Sequence, residues 1–323
     1  MERLNDSEIF DKYLDDLELQ GSVKKTIENY GSSVRVYVDW LHKKNLTILD
    51  VCDMDNKDIV EDFLKYLRKE RKKVNGENIS FARIKVIFSA LNNLYEYLEY
   101  NSYVQKNIIL IVRKRYLKQY KNGYEPAVRK TIDAEEMSRY LNSIPNPRDK
   151  AINVLFVKTG VRKENLRRID CNDIDWDEKK ILIKFRLSKK RTFPYVFFDD
   201  ECKRVLKYWE KRREMIANPD EKAFFVGEYG RRISKNSVYD AVVKWSTRFG
   251  LNNPISDRLE DHFSPHNLRH CFTTYLRRNG MEREYRKELR GDKRAEVMDL
   301  YDHIEEKELR REYLAAIPKF DVY

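Results

Sequence analysis

Cysteine is scarce in this sequence, and Cys52, Cys171, Cys202 and Cys271 stand too far apart to make a Cys-x-x-Cys pair. That spacing gives neither a disulfide framework nor a zinc knuckle, and reduced, buried thiols are the expectation. Long apolar runs are missing as well. A run such as Ile108 to Val112 is far shorter than the roughly 20 residues that cross a bilayer, and the opening MERLNDSEIF is acidic without an apolar signal core. A soluble, cytoplasmic protein with no membrane partner is expected. The chain also lacks a Walker Gly-x-x-x-x-Gly-Lys loop and a clustered Asp/Glu triad for magnesium, so nothing calls for nucleotide, metal or another cofactor. No internal repeat or low-complexity segment occurs.

What is present is length and positive charge. A chain of 323 residues with 41% apolar content suffices for two domains, each with its own core. The net charge of +11 favours a polyanionic partner. Its distribution is uneven: residues 1–62 carry 8 Lys and Arg against 15 Asp and Glu, whereas residues 63–121 carry 14 against 4. Segregated charge of this kind suits a one-sided nucleic-acid surface.

Helical periodicity dominates the first 115 or so residues. Ile9, Phe10, Tyr13, Leu14 and Leu17 recur at helical spacing, and so do Ile27, Tyr30, Val34, Tyr37, Val38 and Leu41 after a plausible cap at Ser22. A third helix carries Ile59, Phe63 and Leu67, and a fourth runs from Phe81 to Leu98. Four amphipathic helices make a bundle over 1–115. The basic stretch RKERKKVNGEN joins the last two helices, and RKRYLKQYKNGYEPAV reads as a linker, taken as 116–127. Phosphate contact is expected from Lys65, Arg68, Lys69, Arg71, Lys72, Lys73, Arg83, Lys85, Arg113, Lys114 and Arg115.

Over 128–323 the pattern is mixed. A helix capped near Asp133 and another through Val154 to Thr159 precede KILIKFR and TFPYVFF, two strands joined as a hairpin by the basic turn LSKKR. Helices then return. The fold class is mainly α with a small β component, a helical bundle followed by an α+β domain.

Five residues of this second part suit the cutting of DNA by a protein nucleophile: Arg162, Lys189, His266, Arg269 and Tyr301. Such a reaction needs a hydroxyl at the scissile phosphate, cations on its non-bridging oxygens and an acid for the departing 5′ oxygen. Arginine holds phosphate bidentately and keeps its charge, so Arg162 and Arg269 can clamp the pentacoordinate phosphorane. Lys189 at a hairpin tip, with Lys190 as rival, can enter a groove and give up a proton if neighbouring cations lower its pKa. His266 can bond a phosphate oxygen or take the tyrosyl proton. Tyr301 is the nucleophile, with Tyr275, Tyr285 and Tyr313 as neighbouring alternatives. His-x-x-x-His spacing occurs twice in His262, His266 and His270, but Pro265 starts a helix between the first two and no other ligand matches, so no metal site is expected.

TGVRKENLRR, PHNLRHCFTTYLRR and LRGDKRAEVMDLYDHI resemble the boxes of the tyrosine recombinase family, the phage-integrase type, and the helical bundle resembles its core-binding domain. The resemblance covers nearly the whole chain. It implies a site-specific recombinase or integrase of prokaryotic or viral cells that breaks and rejoins DNA strands through a covalent 3′-phosphotyrosine at Tyr301. Double-stranded DNA would be the partner, with a homotetramer on DNA and a monomer or weak dimer when free. Its catalytic roles fall on Arg162, Lys189, His266, Arg269 and Tyr301. Two positions depart from the family: Asn165 stands where a glutamate is usual, and Asp292 where His or Trp is common. Asp292 either positions a donor, carries a proton, or leaves the role to Arg290 or His303. This variant box and the ending LRREYLAAIPKF are similar to those of the family's archaeal integrases. The helix EEKELRREYLAAI is a candidate for docking on a neighbouring protomer, so that deleting residues 306–323 would weaken synapsis alone. A type IB topoisomerase-like enzyme and a catalytically inactive DNA-binding accessory protein are the alternatives.

Overall fold

The computed structural model describes residues 5–53, 57–72, 76–117, 130–184, 194–256, 258–291 and 304–323. The chain divides into two compact units, Met1–Tyr124 and Glu125–Tyr323. Most of the linker assigned to 116–127 lies outside the described residues. No described helix is long and apolar enough to cross a membrane.

The first unit is helical. α1 (Asp6–Leu19) opens with a capping box in which Asn5 and Glu8 exchange side-chain bonds with each other's backbone N–H at 2.9 Å. α2 (Lys24–His42), α4 (Lys57–Lys69) and α5 (Phe81–Tyr100) are the other three helices expected from periodicity. Two shorter ones are added, α3 (Ile48–Asp53) and α6 (Ile108–Tyr116). Tyr37, Trp40, Phe63, Phe88 and Tyr95 fill the centre, Phe63 edge-on to Tyr37 at 4.9 Å and the two tyrosine hydroxyls 3.1 Å apart. The cap expected at Ser22 is not made. α2 starts one residue later than that cap allows, with Val23 at its N-cap and no side-chain bond.

The second unit is built around α8 (Pro147–Thr159), buried on all faces from Ala151 to Thr159, its polar Asn153 and Lys158 included. α7 (Ala134–Asn142), α10 (Asp200–Glu214), α11 (Lys235–Phe249) and α12 (Pro265–Arg278) pack against it. Asp133 caps α7 by accepting from the Glu136 N–H at 2.7 Å. Between α8 and α10 lie the short α9 (Lys163–Arg167) and an antiparallel sheet in the order β1 (Ile174–Asp175), β2 (Lys180–Leu182), β3 (Tyr195–Phe197). β2 and β3 are the expected hairpin, with Ile181 opposite Val196; β1 is a third strand that the sequence pattern did not disclose. α13 (Arg283–Arg290) and α14 (Glu306–Ala316) complete the unit.

α14 belongs to the core of the second unit. Leu309 and Tyr313 are fully buried beside Phe197, Phe272 and Leu276, and the Tyr313 hydroxyl donates to the Lys158 carbonyl at 2.9 Å. The segment after α14 returns to α8 and α10. Lys158, fully buried, pairs with Asp199 at 2.6 Å and with Glu201, and donates to the Pro318 carbonyl at 2.7 Å. Glu201 in turn accepts the backbone N–H of Phe320 at 3.1 Å and of Val322 at 2.7 Å. Deletion of residues 306–323 would therefore remove core and unpair buried carboxylates, and so cannot report on synapsis alone.

Lys158→Met should lower stability by about 3–5 kcal/mol, the usual result of leaving buried charge unpaired, and urea unfolding measures it. The same network sets an acid limit. Bonds from Lys158 and two backbone N–H groups outweigh burial and hold the Glu201 carboxyl below its ordinary range. Its contribution is therefore present above about pH 4.3, the unfolded glutamate value, and is lost as pH falls through the depressed folded value. Glu201→Gln should flatten stability across that acid window.

Candidate active site

Arg162 owes its place to the residues before it. α8 ends at Gly160 in the left-handed region, φ 59°, and a Cβ there would overlap the Phe272 ring of α12, so glycine is required twice over. The chain turns, and Arg162 becomes the N-cap residue of α9. From α12 comes Arg269, 7% exposed, and from its first turn His266, exposed with its ring edge-on to His270 at 4.6 Å between centroids. Pro265 starts this helix as the sequence suggested, and Asn267 fastens it by donating to the carbonyls of His262 at 3.1 Å and Lys130 at 3.2 Å.

The two arginines share a carbonyl. Arg269 donates from Nη1 to Gly160 O and from Nη2 to Arg290 O at 2.7 Å, while Arg162 Nη1 donates to Gly291 O at 3.1 Å and reaches Arg290 O at 3.4 Å. Arg290 and Gly291 close α13, so the negative end of that helix faces both guanidinium groups. The result is a cleft of about 300 Å³ lined by Val161, Arg162, Lys163, Tyr239, Ser264, Pro265, His266 and Arg269. Residues more than a hundred positions apart in sequence thus meet in one cleft.

Of the other candidates, Lys189, Lys190, Asp292, Tyr301, His303 and Lys73 lie outside the described residues. Arg290 is described, and contributes its main-chain oxygen. The alternative tyrosines are occupied. Tyr275 donates to Ile132 O at 2.8 Å, Tyr313 is buried on Lys158 O, and Tyr285 donates to Glu308 at 2.6 Å, which pushes its pKa up to about 12. Glu164, beside the Asn165 departure, bonds Arg167 and Arg168 instead, and the Arg167 guanidinium above all holds its carboxyl down to about 2.

At the root of the hairpin, Lys184 pairs with Asp170 at 2.5 Å and Asp173 at 2.8 Å, while Arg232 pairs with Asp170 and donates to Arg167 O at 2.9 Å. This chain of charges ties the strand end to the end of α9. Among the described residues no group of three or more His, Cys, Asp and Glu is arranged to hold a metal ion.

In the first unit the cations gather at helix ends. Arg68 of α4 donates to Tyr116 O at 3.3 Å, which sets the last turns of α4 and α6 side by side. Lys69 extends one, Arg113, Lys114 and Arg115 the other, and Arg113 is braced on Ser89 at 3.1 Å. Arg71 and Lys72 follow α4, Lys72 bonded to Asn78 at 2.5 Å, and Arg83 and Lys85 occupy the first turns of α5. Lys65 is partly neutralised by Asp62 at 2.8 Å. The cleft residues Lys163, Tyr239 and Ser264 were not singled out in the sequence; only the adjacency of Lys163 to Arg162 could have suggested one of them.

Two guanidinium groups and an imidazole line one cleft of the second unit, and the first unit is a helical bundle. The model of the phage integrase family matches residues 130–308, and that of the phage integrase N-terminal SAM-like domain matches residues 9–105. The chain belongs to the phage integrase family. It is 29% identical over 194 residues to tyrosine recombinase XerC of Histophilus somni (strain 2336), covering 59% of this chain and 62% of that protein. With tyrosine recombinase XerC of Corynebacterium glutamicum the identity is 33% over 173 residues, 53% and 52% of the two chains. The chain thus spans between half and two thirds of these curated relatives. The fold is shared with the Tn1549 transposon integrase in complex with a circular intermediate DNA (TM-score 0.67, 16% identity, 94% of this chain and 98% of that one). It is also shared with a lambda integrase dimer bound to a COC′ core site (TM-score 0.62, 15% identity, 94% and 100%).

Gly160→Ala should cost at least about 1–2 kcal/mol from the left-handed backbone alone. Displacement of Phe272 should also loosen Arg269. Circular dichroism melting reads the first effect, and a fall in phosphate-directed activity greater than that of the exposed-turn control Gly76→Ala reads the second.

Proposed function

We propose that this protein is a site-specific DNA recombinase that cleaves and rejoins double-stranded DNA through a covalent 3′-phosphotyrosine at Tyr301, without metal or ATP. The observation that carries the reading is the single cleft in which Arg162, His266 and Arg269 converge. Oxygen of Tyr301 attacks phosphorus, and the bond to the 5′ oxygen breaks. Arg162 and Arg269 stabilise the added charge of the phosphorane, His266 takes or shares the tyrosyl proton, and Lys189 protonates the leaving 5′ oxygen. The bond energy stays in the phosphotyrosyl link. A 5′ hydroxyl from a partner strand then attacks that link, restoring the diester and the free tyrosine.

Exchange between two duplexes requires more than one active site, and a homotetramer on paired DNA sites meets that need. The cationic helix ends of α4, α5 and α6 supply the phosphate-binding charge of the first unit. Removal of one such cation, as in Arg68→Ala or Lys114→Ala, should lower the slope of log K against log salt by about 0.9.

The reaction is tested with nicked suicide duplexes from the protein's genetic neighbourhood, in EDTA, resolved on a denaturing gel. A covalent adduct is expected for the unaltered protein and for Tyr313→Phe, and its loss in Tyr301→Phe. Arg269→Ala should slow adduct formation by about 10²–10³-fold, as removal of a charge-stabilising donor does elsewhere. Adducts on any duplex, with relaxation of supercoiled plasmid, would favour a topoisomerase-like activity. Specific binding without an adduct would mean an accessory DNA-binding protein.

A further inference from the structure

The cleft beside Arg162 and Arg269 contains a third cation outside the motif boxes' catalytic set. Lys163 opens α9 and lines the cleft, and its Nζ lies 5.1 Å from the ring centroid of Tyr239 on α11. Tyr239 is 42% exposed, so its ring is a ledge in the cleft wall. An ammonium held over an aromatic face is oriented without being neutralised.

The neighbouring cations are matched by carboxylates: Arg167 and Arg168 by Glu164, Lys184 by Asp170 and Asp173, Arg232 by Asp170. Lys163 is not. Among the described residues its ammonium makes no ion pair or hydrogen bond. Burial and the like charge of Lys235 on α11 outweigh the carboxylates of Glu164 and Asp240 and hold it below the ordinary lysine pKa. A half-buried cation short of counter-charge is stabilised by an anion that enters beside it.

We infer that Lys163, seated on Tyr239, is a third ligand of the scissile phosphate, alongside Arg162 and Arg269. The inference rests on the recombinase reading of the cleft. Two arginines suffice for the single charge of a diester, whereas the phosphorane carries a second, and an additional cation lowers its energy most. Lys163 keeps its proton throughout, because an entering anion raises its pKa. It is a phosphate ligand and not the acid for the 5′ oxygen.

The test compares Lys163→Met, Lys163→Arg and the unaltered protein on a suicide duplex that gives the adduct. One duplex carries the native scissile phosphate, and a second carries a methylphosphonate in which a methyl group replaces one charged oxygen. Lys163→Met should slow adduct formation by roughly 10–100-fold on the phosphate and by less than about 3-fold on the methylphosphonate. Lys163→Arg, which restores the charge, should recover most of the rate. Lys163→Met should also lower the salt slope of binding by about 0.9. Equal slowing on both duplexes, an unchanged salt slope, or recovery by a 5′-bridging sulfur that needs no proton would each overturn the inference. Should Lys163→Met fail to fold, Lys163→Gln is read in the same way. If the unaltered protein forms no adduct on any duplex, the recombinase reading fails. The salt slope on bound duplex then decides the role of Lys163 by itself.

Discussion

A buried guanidinium has to place its donors on fixed acceptors, and the second unit is organised around how Arg269 does so. Its acceptors among the described residues are the carbonyl that ends α8 and the carbonyl that ends α13. Three helices, α8, α12 and α13, are thereby fixed to one another through a single side chain. Arg162 uses the same end of α13. Main-chain carbonyls satisfy hydrogen-bond donors through their dipoles, but they do not cancel a formal charge as a carboxylate would. The arrangement brings both guanidinium groups to the edge of one cleft.

Elsewhere in the unit, charge is used in the opposite way. Lys158 is enclosed by Asp199 and Glu201, with Pro318 O as a further acceptor, and its ammonium is thus fully countered. That cluster reads as structural: it joins α8 to α10 and to the chain's last described residues. The root of the hairpin follows the same rule, with Asp170 and Asp173 on Lys184 and Asp170 again on Arg232. Countered cations hold the frame, and in the cleft Arg162 and Arg269 donate to main-chain carbonyls while Lys163 lies over an aromatic ring. Lys158 and Lys163 are five residues apart, yet among the described residues only the first is ion-paired to carboxylates.

Much of this was legible in the sequence, and what was not has specific causes. Arg162, His266 and Arg269, singled out by residue type and spacing, do line one cleft. The α5 and α10 helices and the β2–β3 hairpin follow from periodicity. α6 did not, since Ile108 to Val112 is apolar on consecutive residues and carries no amphipathic signal; its start depends on Asn107, which caps Leu110 N and bonds Asn92 O. β1 has only two residues, too few for any period. Ser22 has the right chemistry for a cap, but the helix it precedes begins at Lys24. The partners of Lys158 lie more than forty positions away, and no local pattern reports them. Lys163 gave no signal because a lysine beside an arginine is ordinary, and only folding places Tyr239 beneath it.

The two anchors of α13 and α14 also bear on the nucleophile proposed above. Residue 291 ends a helix whose terminal carbonyls are held by Arg162 and Arg269, and residue 304 leads into α14, whose Leu309 and Tyr313 are locked against α12 and α8. Asn279 of the turn after α12 adds a bond to Ala316 O at 2.7 Å. In sequence, Tyr301 lies between these two anchored segments. Attack on phosphorus demands that hydroxyl and phosphate meet within roughly 3–3.5 Å. On the proposed mechanism, substitutions that loosen α13 should impair phosphate binding and nucleophile delivery together, and not either one alone.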